Sequence, residues 1–463
     1  MDTMTTLVKN VSTVTFDDLT PEAVEAAKKS ILDTVGVTIA GSSVEGCQIL
    51  AEHVKELGGP PESSIAVFGG KAPAYLAAQV NGAMARALEI DDVSDEFVIH
   101  PSVSIVPACL AAAERTEGVN GKELITAMAL GQDIMFRMAA ATKLSAIISG
   151  RYNFFRVFAS TGAVGKLMRL SEDQLRNAEG IAFSQMSGDG QSARDGVMSH
   201  YIQSGTVAKS ALEAVLMARK GIIGAKNILE GPSGYFVAIE PDPNLDALTF
   251  ELGETFRGAE TCIKPYTSCR QTHEAIDLVI AIRKETGITL NQIAEITVHV
   301  NDQCYNLVCN PLEQKRRPQS MVDAQFSLPY TVAAAFAKGD IFIDEVSEQT
   351  IKDPDILSLL QRITPLVDER CQTELVLGSV TMEVITRDGR TIFKETRIPR
   401  GNYQNPLSMN DLVYKFKKCA SHAARKFPDD QLDKILEFLC DLENVKDVTE
   451  ITELLVPHPM NGM

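Results

Sequence analysis

Residues 378–397 read GSVTMEVITRDGRTIFKETR, and they decide how the chain divides. The stretches 378–386 (GSVTMEVIT) and 391–397 (TIFKETR) alternate apolar and polar residues in the manner of strands. Between them, Arg387-Asp388-Gly389-Arg390 carries Asp-Gly, a strong hairpin signal. Segment 295–300 (EITVHV) alternates in the same way, whereas 273–285, 326–337 and 354–361 repeat at helical spacing. The region spanning roughly 263–398 is therefore expected to be an α+β unit.

Outward from that region the texture is helical. Thr20-Pro21-Glu22 is a helix start, with a Thr cap, a Pro at the first helical position and an acid in the first turn. Behind it Val24, Ala27, Ile31, Leu32, Val35 and Ile39 recur at helical spacing, and Gly41 is a plausible stop. Segments 74–88, 103–116, 121–142, 158–169, 172–186 and 204–220 are similar, and several are apolar nearly all round, as helices buried in a large core are. Helical periodicity returns through 408–444. The expected fold is mainly α: a large all-α helical domain from 1–262 and 399–463, plus a smaller α+β domain from 263–398.

With 463 residues, 45% hydrophobic and 23% charged, the chain has the composition of an ordinary globular protein of two or three domains. A net charge of −17 argues against a general nucleic-acid or anionic-membrane binder, because those partners need a basic face. A small anionic substrate stays compatible, since cations gathered in a cleft can hold it. The nine cysteines (47, 109, 262, 269, 304, 309, 371, 419 and 440) are scattered without a C-x-x-C, which points to reduced thiols and away from zinc. The opening MDTMTTLVKN lacks the pattern of a secretory signal, and apolar stretches such as 103–113 are too short to span a bilayer. A cytoplasmic protein is expected.

Nucleotide and hydrolase fingerprints are missing. G-x-x-x-x-G-K-[ST], G-x-G-x-x-G and G-x-S-x-G do not occur, and Gly69-Gly70-Lys71, after a strand-like Ser64–Phe68, leads only to Ala-Pro-Ala. The His residues are dispersed, so no metal site is expected. Acid–base chemistry by ordinary side chains is left as the leading enzymatic option.

Several islands carry the residue types for it, each with a plainer alternative. Glu89-Ile90-Asp91-Asp92-Val93-Ser94-Asp95-Glu96 ends in His100-Pro101-Ser102; carboxylates near an imidazole can orient and tune it, or the stretch is a solvated acidic loop capping the next helix. Ser149-Gly150-Arg151-Tyr152-Asn153 precedes a helix, where an Arg can clamp a carboxylate or simply sit on the surface. Ser187-Gly188-Asp189-Gly190 is followed by Met198-Ser199-His200, a His ahead of a helix. Lys264, Tyr266, Arg270 and His273 form the densest group of donors, at the proposed domain junction. Phe326-Ser327-Leu328-Pro329-Tyr330 places a Tyr at an apolar helix start, where most tyrosines are core.

In this order the islands resemble the MmgE/PrpD family over nearly the whole chain. The likeness begins at Asp33-Thr34-Val35-Gly36-Val37 with Ala40-Gly41. It continues through Asn81-Gly82, Ile90-Asp91-Asp92, His100-Pro101-Ser102 and the Gly131 helix. Ser187-Gly188, Glu230-Gly231, Lys264-Pro265-Tyr266 with Arg270 and His273, and Phe326–Tyr330 follow, and Gly401 and Asn405-Pro406-Leu407-Ser408 close it.

The resemblance implies a large all-α domain from both chain ends, an α+β lid, a homodimer, no metal or cofactor, and a site between the domains for a small di- or tricarboxylate. It implies a lyase or isomerase (dehydratase, decarboxylase or epimerase-like) that abstracts a proton α to a carboxylate. Asp91, Asp92, His100, Lys264 and Tyr330 sit at the family's active-site positions. The chain departs from the pattern at Arg86 and Glu89, at Asn153, where the family has a catalytic His, and at His200, where it has a Lys. Asn can only hydrogen-bond, whereas His titrates near neutrality.

In the mechanism this implies, His100 is the base, oriented by Asp91 or Asp92, and His200 or Tyr330 returns the proton. Lys264, Arg151 and Arg270 hold the substrate, with Arg86, Asn153 and His273 also in the binding set. The rival expectations are a catalytically reduced polycarboxylate-binding homologue and, more remotely, a helical interaction scaffold.

Overall fold

The computed structural model describes residues 2–97, 99–142, 154–240, 242–373 and 377–458. It divides into two units: Met1–Asp92, Ile99–Thr261 and Ser408–Met463 form the first, Val93–Val98 and Cys262–Leu407 the second.

The first unit begins with α1 (Thr3–Thr13), α2 (Pro21–Gly41) and α3 (Glu45–Leu57). The cap read from Thr20 is made: its hydroxyl accepts from Ala23 N at 3.2 Å, with Pro21 at the first helical position. Only Ser63–Ser64 (β1) pairs with Lys71–Ala72 (β2), so the strand-like run through Phe68 is largely turn. Positive φ at Val67, Gly69 and Gly70 breaks any extended run there.

Then come α4 (Ala74–Arg86), α5 (Ser102–Ala113), α6 (Gly121–Ala141), α7 (Arg156–Leu167), α8 (Glu172–Phe183) and α9 (Ser199–Arg219). Every residue of α5 is buried, the outcome expected of a helix apolar on all faces. α6 starts on a capping box in which Asn120 and Glu123 satisfy each other's backbone N–H groups.

The second unit holds α10 (His273–Thr286), α11 (Leu328–Lys338) and α12 (Pro354–Leu360) with a sheet of β3 (Ile293–Val300), β4 (Ile363–Val367), β5 (Val380–Thr386) and β6 (Thr391–Thr396). Strand order is β4-β3-β5-β6; β4 lies parallel to β3 and the other pairings are antiparallel. β3 and β5 alternate buried with less buried residues, and Ile296, Val298, Met382 and Val384 face a core shared with Ile276, Val279 and Ile282 of α10. The Asp388-Gly389 turn joins β5 to β6 as its sequence signals, with Gly389 at φ 86° where a side chain is disfavoured. β4 carries no clean alternation (ITPLV), so nothing in its local sequence marks it as a strand.

The chain ends in the first unit with α13 (Met409–Ser421), α14 (Asp429–Cys440) and α15 (Thr449–Leu454). Among the described residues no helix is long and apolar enough to cross a membrane.

Candidate functional site

The last residue of α4 is Arg86, and the loop that follows turns sharply because Glu89 takes φ 56°. Leu88 and Ile90 point into the core, so the intervening polar residues are held where apolar anchors put them. Lys415 of α13 fixes the loop from beneath: its ammonium donates to Ile90 O at 2.8 Å and pairs with Asp33 of α2 at 2.5 Å.

Asp91 and Asp92, adjacent in sequence, do different work. Asp91 Oδ2 lies 2.7 Å from His100 Nδ1, and its Oδ1 lies 3.2 Å from Arg86 Nη1. Asp92 faces α5, accepting from Ser102 N at 3.1 Å and from the Ser102 hydroxyl. Asp91 is thus the carboxylate that orients His100, and the expectation that left both acids in that role is corrected: Asp92 caps a helix. Burial pushes the Asp92 carboxyl up to about 7, opposed by the Ser102 hydroxyl and aided by the nearby charges of Asp33 and Asp91.

His100 Nδ1 faces the Asp91 carboxylate and, at 3.2 Å, the Asp92 carbonyl. Two acceptors at that nitrogen assign it the proton, which leaves Nε2 as the basic lone pair. Arg86 Nη2 sits 3.4 Å from this Nε2 and 3.2 Å from Nε2 of His200, the second residue of α9. Glu89 completes the group, with Oε1 2.5 Å from Arg86 Nη1 and 3.1 Å from His200 Nε2. Of these side chains His200 is the most open, at 16% exposure, against 7% for His100 and 4% for Arg86.

The structure therefore brings together Arg86, Asp91, His100 and His200 within one unit, and adds Glu89, Asp33 and Lys415. Glu89 was visible as part of an acidic run but without a role. Lys415 and Asp33 carry no local signal that would tie them to a loop so distant in sequence. Arg151 and Asn153 lie outside the described residues.

The remaining candidates belong to the second unit. Arg270 is bound by Asp95 through two contacts of 2.7 Å, and its Nη1 donates to Arg400 O at 3.0 Å and meets His273 Nδ1 at 3.1 Å. Asn402 adds a 2.8 Å bond to Asp95. His273 is fully buried, its Nε2 3.3 Å from Ser268 O, and its ring packs 5.1 Å from that of Tyr266. These are internal ties that organise the start of α10, and no substrate contact is carried forward for Arg270 or His273.

Tyr330 is fully buried in the core beside α10 and β3, its hydroxyl donating to Glu345 O at 2.7 Å, and burial pushes its phenol above the ordinary value. That is the place of a core tyrosine, and no proton-transfer role is carried forward for it either. Lys264 is 1% exposed, next to the bridge in which Cys262 N donates to Val93 O at 2.8 Å. Among the described residues no group of His, Cys, Asp and Glu is arranged to hold a metal ion.

Fold and cluster together define a mainly helical protein with a buried assembly of imidazole, carboxylate and guanidinium groups and a smaller α/β unit. The chain belongs to the MmgE/PrpD family: the N-terminal domain of that family matches residues 5–248 and its C-terminal domain residues 266–439. It is 24% identical to a cis-aconitate decarboxylase of Aspergillus terreus, over 96% of this chain and 94% of that one. Human cis-aconitate decarboxylase is also 24% identical, over 94% of this chain and 91% of the relative. A mitochondrial 2-methylcitrate dehydratase of Yarrowia lipolytica is 23% identical, over 94% and 86%.

Proposed function

We propose that this protein is a lyase-type enzyme that takes a proton from the carbon α to a carboxylate of a small di- or tricarboxylate. The observation that carries the reading is the pair of imidazole Nε2 atoms flanking one guanidinium nitrogen, at 3.4 Å and 3.2 Å. The names of the relatives, a decarboxylase and a dehydratase of small carboxylates, support the reaction class.

A carboxylate entering this cluster meets Arg86 first, since a guanidinium holds a carboxylate by charge-assisted hydrogen bonds stronger than those it makes to neutral imidazole nitrogens. Arg86 Nη1 stays tethered by Glu89 and Asp91, so the Nη2 edge is the one that turns to substrate. His100 Nε2, released from Arg86, is the base for the α-proton. Asp91 then stabilises the imidazolium that forms, as a carboxylate behind a catalytic imidazole does. Negative charge moving onto the substrate carboxylate as an enediolate develops against the guanidinium, where preorganised charge gains most. His200 is the group that gives a proton to the departing hydroxyl in dehydration, or to carbon where an inverted centre is the outcome; where carbon dioxide leaves instead, the C–C electron pair stays on carbon and takes the His200 proton, and His100 removes none.

The test is incubation with aconitates, citrates, methylcitrates and substituted succinates in deuterated water, followed by NMR. Product formation or C–H exchange by the native protein, lost in His100→Ala, is the expected result. Tight binding of a polycarboxylate with neither exchange nor product would replace this reading by that of a binding homologue that has lost catalysis.

A further inference from the structure

We propose that a cavity on the first unit, bounded by the end of α1, the first turn of α6 and the last turn of α7, binds a small dianion of the phosphate-monoester or dicarboxylate type. It has a volume of about 460 Å³, within the range of small-ligand sites, and shares no residue with the cluster around His100. The inference does not depend on the catalytic reading.

Its walls carry Lys122, Lys166 and Arg169. Arg169 is already matched, its Nε and Nη2 bonding Glu123 at 3.0 Å and 3.2 Å. The two lysines are not. Among the described residues Lys166 Nζ bonds only a backbone carbonyl, Ser12 O, at 3.0 Å, and Lys122 Nζ lies 4.8 Å from the centre of the Phe16 ring. Neither ammonium is ion-paired with a carboxylate among the described residues. Burial lowers the pKa of Lys166, partly offset by the charge of Asp18, so part of its hydration is already lost. Asp18 itself is engaged at 2.8 Å and 2.7 Å by the backbone and hydroxyl of Thr15.

A partly desolvated ammonium and a second one without an ion pair among the described residues, around one hollow, are what a bound anion would complete. On a chain of net charge −17, unpaired cations converging on one cavity are not the product of a generally basic surface. Phe16 beside Lys122 supplies one apolar wall for the carbon part of such a ligand.

Calorimetry with inorganic phosphate and, separately, succinate tests this, using the native protein, Lys122→Met/Lys166→Met and His100→Ala. Binding of at least one anion, weakened about tenfold or more in the double variant and retained in His100→Ala, is expected for a loss of two charge-assisted contacts. Phosphate alone showing this pattern assigns a phosphate ester; succinate alone assigns a dicarboxylate. The proposal is overturned if neither anion binds at about ten millimolar, where an affinity worth roughly 3 kcal/mol would be visible, or if the double variant binds both as the native protein does. Both lysines lie at the surface or half-buried, and an unchanged melting temperature checks that the double variant is folded.

Discussion

Gly82 of α4 and Gly205 of α9 lie backbone to backbone: a Cβ on Gly82 would sit 2.9 Å from the Cα of Gly205, and one on Gly205 would fall 2.0 Å from the Gln79 carbonyl oxygen. This contact sets the separation of the two helices that end in Arg86 and begin near His200. Gly205→Ala cannot be absorbed by a flexible side chain, because the clash is with backbone. It should cost about 3 kcal/mol, the upper end of ordinary overpacking, and lower turnover as well, since the Arg86–His200 distance opens. Chemical denaturation and kcat/KM measure the two effects; a fully active, fully stable variant would show that the close approach is not what aligns the site.

Asp91→Asn keeps the size of the side chain but can present an amide N–H to His100 Nδ1. The imidazole proton is then driven to Nε2 and the basic lone pair turns away from substrate. A fall in kcat/KM of about 10²-fold or more is expected, carried mainly by kcat. A variant with unchanged kcat would remove Asp91 from the orienting role.

Glu89→Gln removes a carboxylate from both Arg86 and His200. With less of its charge compensated, Arg86 should hold an anionic substrate several-fold more tightly, by the charge arithmetic of a partly screened pair. His200, losing its anionic partner, should deliver its proton less well. KM and kcat are both expected to fall, a split that steady-state kinetics resolves; a rise in KM would contradict it.

Asp92 has a folded-state pKa of about 7, above the ordinary 3.8, because burial disfavours its charge. The sign follows: its contribution to stability is complete below about pH 4 and is lost as pH rises through 7, by at most about 4 kcal/mol. Ser102, Asp33 and Asp91 also act on this carboxyl, so the comparison that isolates it is with Asp92→Asn. Asn can still accept from Ser102 N. Melting temperature measured from pH 5 to pH 9 should fall less steeply in the variant; parallel curves would mean Asp92 ionises normally.

Arg270 and Asp95 offer a contrasting case. Burial would raise the Asp95 carboxyl, but the charge and hydrogen bonds of Arg270, with Asn402, outweigh it and hold the pKa below the usual value. This stability is present at neutral pH and lost as pH falls through the folded pKa. Asp95→Ala leaves the guanidinium buried without its partner and should destabilise the second unit by about 3–5 kcal/mol. Hydrogen exchange along α10 reports it; unchanged protection there would return Arg270 to the list of residues available to substrate.

Much of the fold was legible in the sequence because its signals are local. Thr20-Pro21, the largely apolar 103–113 and the Asp388-Gly389 turn each act within a few residues, and each produces the element it signals. β4 was not legible, since a five-residue strand containing Pro365 lacks alternation. In the site, His100 and the acids before it could be singled out as residue types, but Asp91 and Asp92 are indistinguishable by position alone. Arg270 and Tyr330 are likewise reactive side chains whose partners, Asp95 and Glu345 O, come from segments the local sequence does not name.

The order of residues thus determined the helices, the hairpin, the division into a large helical part and a smaller mixed one, and the family. Tertiary structure alone decided which carboxylate faces the imidazole, that Arg86 lies between two histidines, and that Lys415 supports a loop 325 positions earlier in the chain. The reason is range: caps, turns and periodicity are energies between near neighbours. A buried charge is governed instead by whichever groups the finished packing leaves within a few ångströms of it.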